Sequence, residues 1–204
     1  MNRRLALALL LPGCSVLPDR PYVETRRFPL EAARPAELPA RRPAGREALL
    51  VRDMRAGPGL DRRGLRSIRA DGTLAIAAYA EWAAPPAEAA EASMRAWLRA
   101  SGLFAAVAAP GTRVPAALVL ESELLALEVD ASGTARATLS VLLVEESGLA
   151  SARLRGQFGA HGTAARQGEG EAADARAMVA ALGAALAVME AELATALNRQ
   201  PLRR

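Results

Sequence analysis

Cys14 and His161 are the only cysteine and the only histidine in this chain of 204 residues. A thiolate is a strong nucleophile and metal ligand, and imidazole is the commonest general base near neutral pH. These two positions therefore bound the chemistry available. One cysteine permits no internal disulfide and no cysteine-based zinc site. One histidine permits no histidine-rich metal site, and a Ser-His-Asp triad has only His161 to draw on. The surroundings of His161, GQFGAHGTAA, read as a strand end and a loop. No G-x-S-x-G nucleophile elbow occurs in the chain. His161 is read as an ordinary loop residue, and the chain as a non-enzyme without cofactor or metal.

Cys14 stands in a different setting. Asn2-Arg3-Arg4 make a positive start, and Leu5 to Leu11 are unbroken apolar residues. Seven residues at a helical rise cannot cross a hydrocarbon core of about 30 Å. A charged start, a short apolar run and a small residue before a cut site describe a signal peptide. Leu11 three positions before the cysteine and Gly13 one before it resemble the bacterial lipobox. Pro12 departs from the Ala or Ser commoner there. In lipobox chemistry the thiol becomes a thioether to diacylglycerol, residues 1–13 are removed, and Cys14 becomes the acylated N-terminus. Two or three acyl chains, at about 0.8 kcal/mol per buried methylene, hold a protein firmly on a membrane. The competing reading is a plain structural thiol near a terminus. Ser15, where Asp would favour the inner membrane, points to the outer membrane and leaves the inner membrane open.

Residues 14–46 read as the lipidated cysteine and a tether. Proline recurs at 18, 21, 29, 35, 39 and 43, which prevents a long helix and favours an extended path. Tyr22, Val23, Phe28 and Leu30 suggest that part of this tether docks on the domain that follows. That domain is read over 47–200. EALLVRDM (47–54) is its first strand. Asp71-Gly72 marks a hairpin in GLRSIRADGTLAIAAYAEW, with positive φ expected at both turn positions. Pro85-Pro86 open a helix and Gly102 ends it. Ala87, Ala90, Met94, Trp97, Leu98 and Ser101 form its buried face, and Glu88, Glu91, Arg95 and Arg99 the other. Trp97 and Met94 are read as core.

After a short strand, FAAVAAPG, three antiparallel strands follow, turned at Asp130–Gly133 and at Ser147-Gly148. Leu118 and Leu120 give way to the opposite phase at Leu125, Leu127 and Val129, a sign of a β-bulge or of burial on both faces. Ala135, Ala137, Leu139, Val141 and Leu143 face the core. The last element is one amphipathic helix with the stripe Val179, Leu182, Leu186, Met189, Leu193, Leu197, ended by Pro201. Glu190 and Glu192 are assigned to its polar face. The fold class is α+β: an antiparallel sheet with two helices packed on one face, in two layers.

Composition sets further limits. The chain is 51% hydrophobic but 3% aromatic, so its core is built of Leu, Val and Ala and its layers lie close together. Arginine supplies all 26 basic residues, and the net charge is +4. The basic residues are interleaved with Asp and Glu and form no strip with aromatic stacking platforms. Nucleic acid is not an expected partner.

Several stretches together resemble a known family. They are Leu11 to Ser15 with LPDRPY, LDRRGLRSI (60–68), YAEWAAPPAE (79–88), LRASGLFAAV (98–107), LVLESELLALEVDASGTARATLSVLLV (118–144) and GQFGA (156–160). The chain is similar to the ABC-type transport auxiliary lipoprotein family, the PqiC-like periplasmic lipoproteins that accompany MCE-domain lipid transporters. The resemblance implies an α/β domain with an antiparallel sheet and two helices, and lipidation at Cys14. It also implies an MCE-domain periplasmic protein and an ABC permease and ATPase as partners. It carries over no catalytic residue. The expected function is a non-enzymatic, lipid-anchored auxiliary that docks on the MCE protein and ties it to the outer membrane. A periplasmic lipid-binding carrier, or an assembly lipoprotein of another outer-membrane machine, is the alternative. Self-association is left open.

Overall fold

The computed structural model describes residues 21–40, 47–147 and 151–198. Cys14, the turn at Gly148 and Pro201 lie outside the described residues, as do the signal segment and parts of the tether.

The Leu- and Val-rich strand β7 (Leu118–Val129) organises the sheet. On one side it pairs antiparallel with β8 (Thr134–Ser147), which pairs antiparallel with β9 (Ser151–Ala165). On its other side β7 takes three short strands in succession. These are β2 (Ala48–Val51) near its start, β3 (Arg55–Ala56) at its middle and β4 (Gly64–Ile68) at its end, all parallel to it. Two wings extend from there. β6 (Ala106–Ala108) pairs parallel with β2. β5 (Leu74–Trp82) pairs antiparallel with β4 and carries β1 (Arg26–Phe28) in parallel on its far edge.

The two-layer α+β class is as expected, and the three long strands are antiparallel. The short strands make the sheet mixed, a feature the residues do not announce. A strand of two to five residues carries little measurable alternation, and parallel pairing joins segments distant in sequence.

Of the three expected turns, the two within the described residues form with one change. At each, an aspartate caps the loop and only glycine takes positive φ: Gly72 at 82° and Gly133 at 82°. Gly72 N–H donates to Arg69 C=O while Arg69 N–H donates to Thr73 C=O, and Asp130 to Thr134 repeats the pattern. This is a three-residue loop closed by a left-handed glycine, so Asp71 needs no positive φ. Asp71 instead accepts from the Thr73 hydroxyl and N–H, and Asp130 from Ser132 and Thr134.

Helix α1 (Pro86–Ser101) starts with proline in its first turn and ends at Gly102, φ 70°. Its expected core face is buried, with Met94 and Trp97 at its centre. Helix α2 (Glu171–Asn198) is long and apolar enough by composition to cross a bilayer. Its buried face instead lies across β9, β8 and β7. The expected close layering appears at Gly162 of β9. A Cβ there would sit 2.1 Å from the Ala181 carbonyl oxygen and 2.3 Å from the Ala185 nitrogen. Only glycine lets the helix backbone come this near the strand.

The bulge in β7 falls between Leu124 and Ala126. Leu118, Leu120 and Leu124 are buried on one side of it, Leu127 and Val129 on the other, and Leu125 is 45% exposed. Leu125 is therefore the bulged residue and not the first of the second buried phase.

Candidate functional site

The feature that bears most directly on function is the segment joining Cys14 to the domain. Tyr22 and Val23 stay exposed, at 89% and 48%. From Arg26 onward the chain is built into the fold. Arg27 Nε donates to Glu81 Oε1 at 2.8 Å, which fixes β1 beside β5, and Arg26 pairs with Glu171 at the start of α2. Phe28 packs on the core, and Leu30 and Ala32 are buried. So the docking expected for Phe28 and Leu30 is present, and the folded unit reaches back to Arg26, twenty-one residues before Glu47.

Beyond β1 the segment runs against both helices as a strap, meeting Ser93 of α1 and Glu190 of α2. A turn lies at 35–38, where Leu38 N–H donates to Pro35 C=O at 3.2 Å. The part before it, from Pro29, runs extended, so its backbone polar groups must find partners elsewhere. Ser93 of α1 supplies two. Its hydroxyl accepts from Ala32 N–H at 3.1 Å and donates to Leu30 C=O at 3.2 Å.

Arg34 then enters the protein. Its Nε and Nη2 donate to the two oxygens of Glu190 at 2.8 and 3.0 Å, a bidentate pair. The two side chains are 6% and 4% exposed. Arg34 also donates to the carbonyls of Leu38 and Pro39, turning the strap's far end around the guanidinium. Trp97 Nε1 of α1 completes the cluster by donating to Glu190 Oε2 at 2.8 Å. The hydrogen bonds Arg34 donates to Glu190 hold its guanidinium above its ordinary pKa. Strap, α1 and α2 thus meet on one buried carboxylate.

The strap leaves apolar grooves on either side. One, of about 470 Å³, lies against α1 between Leu30, Ala32, Ala89, Ala92 and Ala96. Another, of about 460 Å³, lies against α2 between Ala33, Leu38, Val179, Gly183 and Ala187. Both are walled by small side chains, which leave room where larger ones would close the gap.

Two glutamates assigned to solvent are buried. Glu190 lies four residues after Leu186 and three before Leu193, on the apolar stripe itself. Glu91 lies four after Ala87 and three before Met94. Glu91 is 7% exposed, accepts from Met54 N–H at 2.7 Å and pairs with Arg95. The phase of both was readable; their acidic type argued the other way. Arg34 had no periodic context to place it. Trp97 is core, as expected, but its indole N–H also joins the Arg34–Glu190 cluster, which clasps the strap to both helices.

His161 is in mid-strand rather than a loop, because β9 runs on to Ala165. It sits exposed on the sheet face opposite the helices, with Nδ1 3.3 Å from Thr138 Oγ1. The buried acids each have structural partners: Glu190 and Glu91 as above, and Glu128 with Arg136 and Arg66.

Comparison with known proteins adds the following. The model of a family described as ABC-type transport auxiliary lipoprotein component matches residues 28–194. The crystal structure of protein XCC0632 from Xanthomonas campestris, assigned to DUF330, superposes with a TM-score of 0.64 at 21% identity, covering 82% of this chain and 96% of that one. A crystal structure of an uncharacterized protein gives 0.57 at 16% identity, covering 80% and 99%. At these identities the two structures show the shared fold. No curated protein matches the chain.

Proposed function

The chain belongs to the ABC-type transport auxiliary lipoprotein family, and from that premise we propose that it is a non-enzymatic, lipid-anchored subunit working beside an envelope ABC transporter. Residues 1–13 act as the signal, Cys14 accepts the lipid, and residues up to the strap span the distance from the membrane. The globular domain docks on a periplasmic MCE-domain protein, and the anchor ties that protein to the outer membrane.

The observation that carries this reading is the clasp. The segment that leads back to Cys14 is held by β5, by Ser93 and by the buried Arg34–Glu190 pair. A domain built to hold its own leader this firmly suits a protein whose position is set through that leader. The buried carboxylates support a non-catalytic role, since each is engaged in holding elements together.

Two measurements test the parts separately. Labelling with a fatty acid tests Cys14; incorporation into the wild type and none into Cys14→Ala is expected, and an unlabelled wild type removes the anchor. Co-purification with a co-encoded MCE-domain protein tests docking. It should survive Cys14→Ala in detergent extract, and failure with a normally folded domain overturns the docking.

A further inference from the structure

We propose that the groove between the strap and α1 receives an acyl chain carried by the protein's own Cys14 whenever the protein is away from a membrane. This rests on the reading of Cys14 as a lipid acceptor.

The groove has the size of a small-ligand site, about 470 Å³. Its walls are Leu30, Ala32, Ala89, Ala92 and Ala96. They offer methyl groups and no aromatic face, which suits a flexible hydrocarbon and gives nothing for a ring to stack on. Ser93, its one hydroxyl, is already committed to Leu30 and Ala32. Among the described lining side chains, only the Glu31 carboxylate is left to meet a polar head.

Charge narrows the choice further. Glu31 is the only charged residue lining the groove among the described residues. A carboxylate at the rim repels a free fatty acid or a phosphate-bearing lipid. The acyl chains of a lipidated cysteine are joined through esters and an amide and carry no charge at their heads.

Position supplies the remaining argument. Cys14 precedes Arg26 by twelve residues, a reach of about 40 Å when extended, and the groove opens at Pro29, just past β1. A chain on so short a tether is presented at an effective concentration of about millimolar. A weak site is filled under those conditions by the tethered chain ahead of dilute free lipid.

The sequence makes the test clean, because Cys14 is the only native thiol and lipidation consumes it. The full chain with Ala92→Cys then bears one free thiol, inside the groove. Its alkylation by a water-soluble maleimide is timed on the monomeric, membrane-free protein, and again with Cys14→Ala added. The lipidated chain should react about tenfold more slowly, as expected for a site filled most of the time by a tethered occupant. Thr163→Cys, on the opposite sheet face, should react equally in both. Ala96→Cys, one turn along, is a second position in case Ala92→Cys disturbs the fold.

Equal rates in a chain whose intact mass shows the lipid overturn the inference and leave the anchor standing. An intact mass without lipid removes both. If the lipidated chain is unprotected while micromolar palmitate protects the Cys14→Ala chain, the groove belongs to a foreign acyl chain and the proposal fails.

Discussion

Glu190 is the residue on which most depends, because three hydrogen bonds from two other elements converge on its carboxylate. Removing one partner of a buried ion pair leaves the other charged and desolvated. Arg34→Ala should therefore lower stability by about 3–5 kcal/mol, read as a fall in the urea midpoint at constant slope. Arg27→Ala, at a pair whose arginine is 64% exposed, should leave the midpoint nearly unchanged. The turn aspartates make a pH-dependent contribution. The Thr73 hydroxyl, then the Thr73 N–H, holds Asp71 below its ordinary value of 3.8, and Ser132 and Thr134 do the same for Asp130. A depressed carboxylate pKa stabilises the fold above the unfolded value, and that stability is lost as pH falls through the folded value. The Asp71→Ala, Asp130→Ala double variant should be less stable than wild type at pH 7. The gap should narrow below about pH 3.8, as a series of melting temperatures would record.

Elements differ in how legible they are, and the reasons are physical. Helix α1 is readable end to end because proline and glycine bracket a full apolar face. In β8, five alternate residues from Ala135 to Leu143 are buried as their period requires. β1 and β3 have three and two residues and no period to read. The strap is hidden by its own composition, since proline and arginine signal solvent unless a buried acid awaits the arginine. The bulge in β7 is visible as a phase change, but the change alone does not place it, and Leu125 takes the bulge rather than the buried phase. That correction is testable: Leu124→Ala should cost about 2–5 kcal/mol, while Leu125→Ser should be close to neutral. Packing of α2 on β9 gives a second test. Gly162→Ala sets a Cβ against helix backbone that has no rotamer to change, so the helix itself must shift. A loss of about 1–3 kcal/mol, at the upper end of that range, is expected, visible as a lowered thermal midpoint.

At the scale of the whole molecule, the folded unit is larger than composition suggests, because it includes β1 and the strap. A chain begun at Glu47 should fold poorly. It would expose the core under Leu30 at about 1.5–3 kcal/mol and leave Glu190 without Arg34 at about 3–5 kcal/mol more. Together these approach or exceed the lower end of ordinary domain stability, about 5–15 kcal/mol. A chain begun at Pro21 should melt like the full-length protein; equal melting of the two truncations would show that the strap contributes nothing. The direction of β1 has a mechanical consequence. It lies parallel to β5, so a pull on the N-terminus acts along the strand and across its hydrogen bonds, which share the load side by side. Behind it Ser93 and the Arg34 fork act as a second catch on a different part of the body. The leader would resist being peeled off bond by bond, and force applied at the N-terminus would be delivered to the sheet and both helices as one rigid piece.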